Sequence, residues 1–456
     1  MKIIVVGINH AGTSAIRTLL AQNSGNDITG YDRNTNISFL GCGIALTVGG
    51  EVTDVEKLFY CTPVKLESQG AKIRMSHEVI AVDVKKQFVT VKNLETGDVF
   101  EDSYDKLIYA AGSWPIAIPG IPEENRNLEN VEICKLFQHA QELIRKADDP
   151  EIKSVAIVGA GYIGIELAEA YQVKGKKVTL VDFEKCVLPR YYDKEFTDRL
   201  EADIRKSGIA LALGEKVVNY VGEGGMVKKI VTDKGSYDAD LVIECIGFKP
   251  NTELLPDAEK VPGGAMIVDE HMRTSLPNIY GIGDCVAMHH ASLDRPMQVA
   301  LATNAVKSGI AAASHISGNE LVKVESVAGT NAICVFGNKL ASTGINEDTA
   351  AKYGIEAASS YVEDNDRPEF MRSYDLTRFK IVYEKGTLRM LGAQIGSYGN
   401  SNHSEVIYYL ALAIQRKLTL VDLAFTDVYF LPHFNKPFNF VLTAIMQVLG
   451  LDYYKN

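Results

Sequence analysis

The chain has one tryptophan, no surplus of positive charge and no apolar run long enough to cross a bilayer. Lys and Arg number 47 against 58 Asp and Glu, a formal net charge of −11. A balance of that sign offers no electrostatic footprint for nucleic acid or an anionic membrane. A membrane helix needs roughly 20 apolar residues, and the best stretch, Phe440 to Leu451, is shorter and contains Gln447. The N-terminal apolar run stops at Gly7, Asn9 and His10, short of a secretory signal, and the C-terminal Tyr-Tyr-Lys-Asn is no lipidation motif. The expected compartment is the cytoplasm. The seven cysteines (Cys42, Cys61, Cys134, Cys186, Cys245, Cys285 and Cys334) are scattered, and none has C-x-x-C spacing. That argues against a disulfide framework, a zinc site and a redox dithiol. A cysteine with a chemical role here acts alone. The His289-His290 pair lacks cysteine or carboxylate partners at metal-ligand spacing, so no metal is expected.

What is present is an ordinary globular composition: 456 residues, 46% hydrophobic and 23% charged, enough for two to four domains at roughly 100–200 residues each. The apolar run Met1 to Ile8 predicts a buried strand, Ala11 to Gln22 a helix and Ile28 to Tyr31 a second strand. Val79 to Val84 and Phe88 to Val91 read as antiparallel strands, and Leu107 to Ala111 as a strand ending in a turn. After a Pro-rich, charged crossing at 115–130 the pattern restarts at Val155 to Val158, followed by a helix at Gly164 to Lys174 and a strand at Lys177 to Val181. Strands are also expected at Leu241 to Gly247 and Asn278 to Gly283. Beyond about residue 320, Ala332 to Phe336, Leu340 to Gly344, Phe379 to Tyr383 and Met390 to Gln394 suggest an antiparallel sheet bracketed by helices at Glu405 to Gln415 and Asn439 to Leu449.

The strongest local signal is Gly159-Ala160-Gly161-Tyr162-Ile163-Gly164 between strand and helix. Its glycines allow a tight turn, close approach of a pyrophosphate and close helix packing, with the phosphates at the helix N-terminus. Asp182 ends the next strand, where a carboxylate can bind a ribose 2′-OH. It would repel a 2′-phosphate, so NADH is preferred over NADPH, a preference that nearby Lys185 softens. Gly7-Ile8-Asn9-His10-Ala11-Gly12 is a variant with Asn9 at the middle position, and Asp32 stands where a second ribose contact belongs. Gly283-Asp284 after a strand can place a carboxylate on a ribityl hydroxyl. Two dinucleotide folds in one chain imply a bound flavin and a diffusible nicotinamide, because hydride transfer needs donor and acceptor together.

Gly7-x-x-His10-x-Gly12, Ser38-Phe39-Leu40-Gly41-Cys42-Gly43, the Gly159 motif, Gly283-Asp284 and Leu431-Pro432-His433-Phe434-Asn435-Lys436-Pro437 together resemble a single-cysteine flavoprotein disulfide reductase, over essentially the whole chain. That group holds NADH oxidases, NADH peroxidases and coenzyme A-disulfide reductases, and the likeness is greatest to water-forming NADH oxidases. The resemblance implies an α/β fold of two Rossmann-like dinucleotide-binding domains plus a C-terminal α+β dimerisation domain. Residues 1–115 with 248–320 would bind FAD, 116–247 NADH, and 321–456 would form a homodimer, or a tetramer built on it. Cys42 would cycle between thiolate and sulfenic acid, with Thr47 where dithiol relatives carry a second cysteine. The thiolate calls for a depressed pKa, available from a helix N-terminus or a cation. His10 would face Cys42 across the flavin and supply a proton.

The same likeness implies that Gly7, Asn9, Ala11, Gly12, Asp32, Val79, Ala110, Ala111, Gly112, Ser113, Lys135, Asp284, Leu301, Ala302 and Thr303 line the FAD. Ala111 departs from the threonine common in relatives. Glu166 would hold the nicotinamide carboxamide, and Tyr162 would lie over the flavin until NADH displaces it. Gly161, Ile163 and Gly164 would shape the turn, Tyr191 would stack on adenine and Gly247 would line the pocket. Phe430 and His433 would reach the flavin site of the other subunit. The implied activity is reduction of O2 by two NADH to two waters. The alternatives are reduction of a coenzyme A disulfide or persulfide, reduction of peroxide, or a redox-sensing scaffold.

Overall fold

The computed structural model describes residues 1–22 and 25–451. Its first sheet is parallel, in the order Ile279–Gly281, Lys106–Tyr109, Lys2–Val6, Asp27–Tyr31 and Lys72–Arg74. Ile3, Ile4 and Val5 are fully buried, as a strand covered on both faces requires. The expected strand Met1 to Ile8 is shorter because Gly7 turns the chain at φ +89°. Helices His10–Ala21 and Ala302–Ile316 pack on one another over this sheet. The second helix was not foreseen: its Ala- and Ser-rich sequence carries no glycine motif ahead of it, and its residues are small where the two helices approach. A Cβ on Gly309 would lie 2.4 Å from the Ala11 carbonyl oxygen.

A second parallel sheet runs Ala210–Leu213, Lys177–Asp182, Ser154–Val158, Leu241–Glu244 and Val131–Ile133. In both sheets the chain reverses its direction of travel beside the first strand, which opens a crevice at the carboxyl ends. Helices Phe137–Asp148 and Lys194–Lys206 flank this unit and were not foreseen, although each carries a clear apolar stripe; nor was the small antiparallel sheet of Val217–Glu223, Met226–Thr232 and Ser236–Asp238. The crossing at 115–130 contains a short helix, Glu123–Arg126.

The C-terminal unit is a five-stranded antiparallel sheet ordered Asn331–Val335, Asn338–Gly344, Met390–Tyr398, Leu376–Glu384 and Ala357–Asn365. The two helices expected to bracket it, Val406–Gln415 and Phe440–Val448, both follow it in the chain and cover one face, where Leu410 and Phe440 share a core with Phe379 and Ile395. From the other face Val335, Leu340 and Tyr398 join a core with Ile165, Tyr192 and Phe196 of the second unit. Among the described residues, no helix is long and apolar enough to cross a membrane.

Candidate active site

The two glycine turns are built alike. Gly7 and Gly159 adopt φ of +89° and +111°, and a Cβ on either would lie 2.4 Å from a carbonyl oxygen, that of Ala110 or of Cys245. Gly12 and Gly164 let each helix sit on its turn, where a Cβ would come within 1.9 and 1.8 Å of the Gly7 and Gly159 oxygens. Asn9 and Gly161 cap their helices with no side-chain bond, so the first-turn N–H groups of His10–Ala21 and Tyr162–Val173 are left for a ligand. Gly161 faces open space.

Helix Ala302–Ile316 also starts without a side-chain cap, at Leu301. It runs in the same direction as His10–Ala21: the Ser14 hydroxyl donates to the Val306 carbonyl at 2.9 Å and the Gln22 amide to Ser314 at 3.0 Å. Exposed Ala302 and Thr303 therefore lie at the His10 end of the pair.

The acidic residues after the second strands have a structural task that sequence reasoning missed. Asp32 accepts the N–H groups of Ile8 at 2.6 Å and Asn34 at 2.8 Å, and Asp182 those of Ala160 at 2.6 Å and Glu184 at 2.8 Å. Each carboxylate fixes its glycine turn and keeps lone pairs for a ribose hydroxyl. Burial pushes the Asp32 pKa up, against the pull of those N–H donors.

On the first crevice, the Ser113 hydroxyl donates to Asp284 at 2.8 Å, and the Lys135 ammonium lies 3.2 Å from Ser113 and 3.4 Å from Asp284. Lys135 also stands 4.4 Å over the Phe248 ring. Asn251 donates its N–H to the Gly112 carbonyl and its amide to that of Ala111, both at 2.9 Å, while Ala110 donates to Val6 at 2.8 Å. Gln298 ties the Asp284 carbonyl at 2.7 Å. Asn251 and Gln298 lie in no motif, and nothing in the sequence marks them. Val79 is buried in strand His77–Asp83 within the core of the first unit, and that strand starts beside Asp32, whose carbonyl accepts the His77 N–H at 2.9 Å.

Cys42 lies in the turn Gly41–Gly43 that leads into helix Ile44–Gly49. Thr47 donates its hydroxyl to the Gly43 carbonyl at 2.9 Å, so no second sulfur stands one turn on. The depressed thiol pKa expected for Cys42 is not found. Although the residue is exposed in the protomer, burial of its thiol pushes the pKa up, the Glu166 carboxylate adds to this, and only backbone hydrogen bonding pulls the other way. Glu166 is itself raised to about 7, first by burial and then by Glu169. His10 stacks on Tyr60 (ring centroids 5.7 Å apart, planes 5° apart) with Nδ1 3.0 Å from the phenol oxygen. Burial lowers the His10 pKa; Asp284 opposes this and Lys135 reinforces it. The protomer alone thus favours a neutral thiol and a neutral imidazole. With flavin removed, iodoacetamide is expected to label Cys42 at pH 8 more slowly than a free thiol, the rate still climbing at pH 9. Peptide mass mapping separates this label from that on exposed Cys334.

On the second crevice, Tyr162 packs edge-on to Tyr191 at 4.7 Å, with half-buried Ile163 beside it in the chain. Gly247, at φ +116°, accepts the Ile116 N–H at 3.0 Å. Phe430 does not join these residues within one protomer. It is 47% exposed on a segment that also displays Phe425, Tyr429 and Phe434.

Residues 1–309 match the family described as pyridine nucleotide-disulphide oxidoreductase, and residues 330–439 match its dimerisation domain. The chain belongs to this family. The NADH oxidase of Mycoplasma pneumoniae is 48% identical, with 99% of this chain and 98% of that protein covered. The solved structure of the water-forming NADH oxidase of Lactobacillus brevis, bound to NADH, is 40% identical with a TM-score of 0.94, covering 99% and 98% of the two chains. An NAD(P)H coenzyme A polysulfide/persulfide reductase of Pyrococcus horikoshii is 32% identical over 95% of each chain. Family membership makes the chain a flavin- and nicotinamide-dependent oxidoreductase with a dimerisation domain. The crevices fit those groups: two glycine turns with no room for a Cβ, three helix starts without side-chain caps, and a carboxylate–ammonium–hydroxyl cluster beside the first.

Proposed function

We propose that this chain is a cytoplasmic, homodimeric, FAD-dependent NADH oxidase that reduces O2 to water, with Cys42 as the peroxide-reducing group. The observation that carries the reading is a lone Cys42 at a helix start, with hydroxyl-bearing Thr47 in place of a second sulfur. The likeness to oxidases over nearly the full chain supports it.

Residues 1–115 with 248–320 hold the flavin, 116–247 the NADH, and 321–456 the partner protomer. The Gly7 turn and the start of helix Ala302–Ile316 take the flavin pyrophosphate, Asp32 the ribose and Asp284 the ribityl chain. The Gly159 turn and Asp182 take NADH, Glu166 its carboxamide, and Tyr162 covers the flavin until NADH arrives. Phe430 and its exposed apolar neighbours meet the other protomer. Bound FAD supplies two-electron transfer from NADH to O2, or to oxidised Cys42.

The residues of the chain account for the second half of the reaction. The Cys42 thiolate attacks peroxide: an S–O bond forms, the O–O bond breaks, and hydroxide leaves with a proton delivered at the His10 ring. The resulting sulfenic acid takes the electron pair of a second NADH, which breaks the S–O bond and releases water. The sum is 2 NADH + 2 H⁺ + O2 → 2 NAD⁺ + 2 H2O. Burial raises the Cys42 thiol pKa and lowers that of His10 in the bare protomer, so the loaded dimer must favour the thiolate more than the protomer does.

The test is the NADH:O2 ratio of the FAD-loaded protein at an oxygen electrode with a peroxide assay. Two NADH per O2 without peroxide is expected. One per O2 with peroxide, or no O2 uptake, would sink the reading. The persulfide reductase relative supports a second one. In that case coenzyme A disulfide, offered anaerobically, would oxidise NADH, and Cys42 would carry a thiol-releasable coenzyme A adduct.

A further inference from the structure

The tyrosine read above as the cover of the flavin is not a free flap. The Tyr162 hydroxyl donates to the Asn331 side-chain oxygen and lies 2.9 Å from the Tyr192 hydroxyl. A phenol has one proton. With the Tyr162 proton given to Asn331, the Tyr192 proton makes the second bond. Asn331 is itself held in place: its amide donates to the Gly329 carbonyl at 2.7 Å, and its oxygen also accepts the Ser342 hydroxyl at 3.0 Å. Asn331 and Ser342 pair across adjacent strands of the C-terminal sheet.

Tyr192 is 2% exposed, and the residue after it is bolted to the same sheet. Asp193 donates its N–H to the Gln394 side-chain oxygen at 2.7 Å, and the Gln394 amide returns a 2.7 Å bond to the Asp193 carboxylate. The buried Lys380 ammonium lies 3.1 Å from Asp193, 2.9 Å from Glu195 and 2.5 Å from Glu347. Both groups that bind the Tyr162 hydroxyl are therefore fixed in position, and one of them belongs to the C-terminal sheet.

We infer that Tyr192 and Asn331 are positioning residues that latch Tyr162 in its closed place and so set how much NADH is needed to displace it. The inference rests on the reading of Tyr162 as the ring that NADH displaces, and takes the position bonded to Tyr192 and Asn331 as the closed one. A ligand that binds only the open state has its apparent affinity reduced by the fraction open. Removing one hydrogen bond from the closed state alters that fraction about two- to tenfold.

The experiment is anaerobic stopped-flow reduction of the flavin in the holoenzyme across a range of NADH concentrations. In Tyr192→Phe and in Asn331→Ser, half-saturating NADH is expected to fall about two- to tenfold, with the limiting rate unchanged. In a Tyr162→Phe background neither substitution changes it further. A merely structural role would lower the limiting rate or flavin retention, and its effect would persist in that background. If Tyr192→Phe fails to retain flavin, Asn331→Ser carries the test alone. Half-saturation unmoved in the variants that fold, or effects that add to Tyr162→Phe, overturns the latch. Tyr162→Gly separates the two layers: if it leaves half-saturation unmoved, the reading of Tyr162 fails. If it lowers half-saturation while the latch variants do not, only the latch fails.

Discussion

Cys42→Ser is expected to change the product and not the fuel: NADH is still oxidised, but O2 leaves as H2O2, one per NADH. Hydride transfer draws on the Gly159 turn, Asp182 and the flavin, and the Cys42 sulfur takes no part in it. The second half of the reaction needs a nucleophile that breaks an O–O bond and then returns its oxygen as water. A serine hydroxyl does neither at neutral pH, and no second sulfur stands in its place, because Thr47 occupies the next turn and is bonded to Gly43. The NADH:O2 ratio should fall from about two to about one, with peroxide rising to match O2 consumed; the 1.4 kcal/mol that separates tenfold rates is small beside the loss of a nucleophile. Oxygen electrode and peroxide assay decide it. Water as the product of the serine variant would remove Cys42 from the mechanism. Serine is close to cysteine in size, and Cys42 is exposed in the protomer, so the substitution should leave the fold and flavin content intact.

Gly159→Val is expected to lower reduction by NADH about a hundredfold while leaving the flavin in place. Two costs coincide at this position. The backbone sits at φ +111°, which a β-branched residue does not adopt, and a Cβ would lie 2.4 Å from the Cys245 carbonyl oxygen. The turn must move, and with it the Ala160 N–H held by Asp182 and the helix start that meets the pyrophosphate. A displacement costing about 3 kcal/mol lowers NADH-driven reduction about two orders of magnitude. The flavin should stay bound, because the Gly7 turn belongs to the other sheet. Dithionite should reduce the variant as it does the parent, whereas NADH should reduce it far more slowly. Loss of flavin, or reduction by NADH at the parental rate, would contradict the assignment of the two turns.

The features legible in the sequence are those whose physical demand falls on neighbouring residues. A strand running into a left-handed glycine and then a helix is written within about a dozen positions, so both turns and the acidic residue after each could be read directly. The lone cysteine and Thr47 were legible for the same reason. Helix Ala302–Ile316 was not, because its small residues answer to the backbone of helix His10–Ala21, far away in the chain.

The rest depended on groups that only the folded chain brings together. Ser113 and Lys135 meet Asp284 across sequence separations of 171 and 149 residues, and Tyr162 meets Asn331 across 169. Tyr60, the stacking partner of His10, lies in no motif. The charge state of Cys42 shows the difference most plainly. The sequence by itself determined that a single thiol, with Thr47 in place of a second one, stands in the chain between two glycine-turn motifs. Only the tertiary structure decided that burial and Glu166 hold that thiol protonated in the bare protomer. A pKa sums desolvation and charge over all surrounding atoms, most of them distant in the chain.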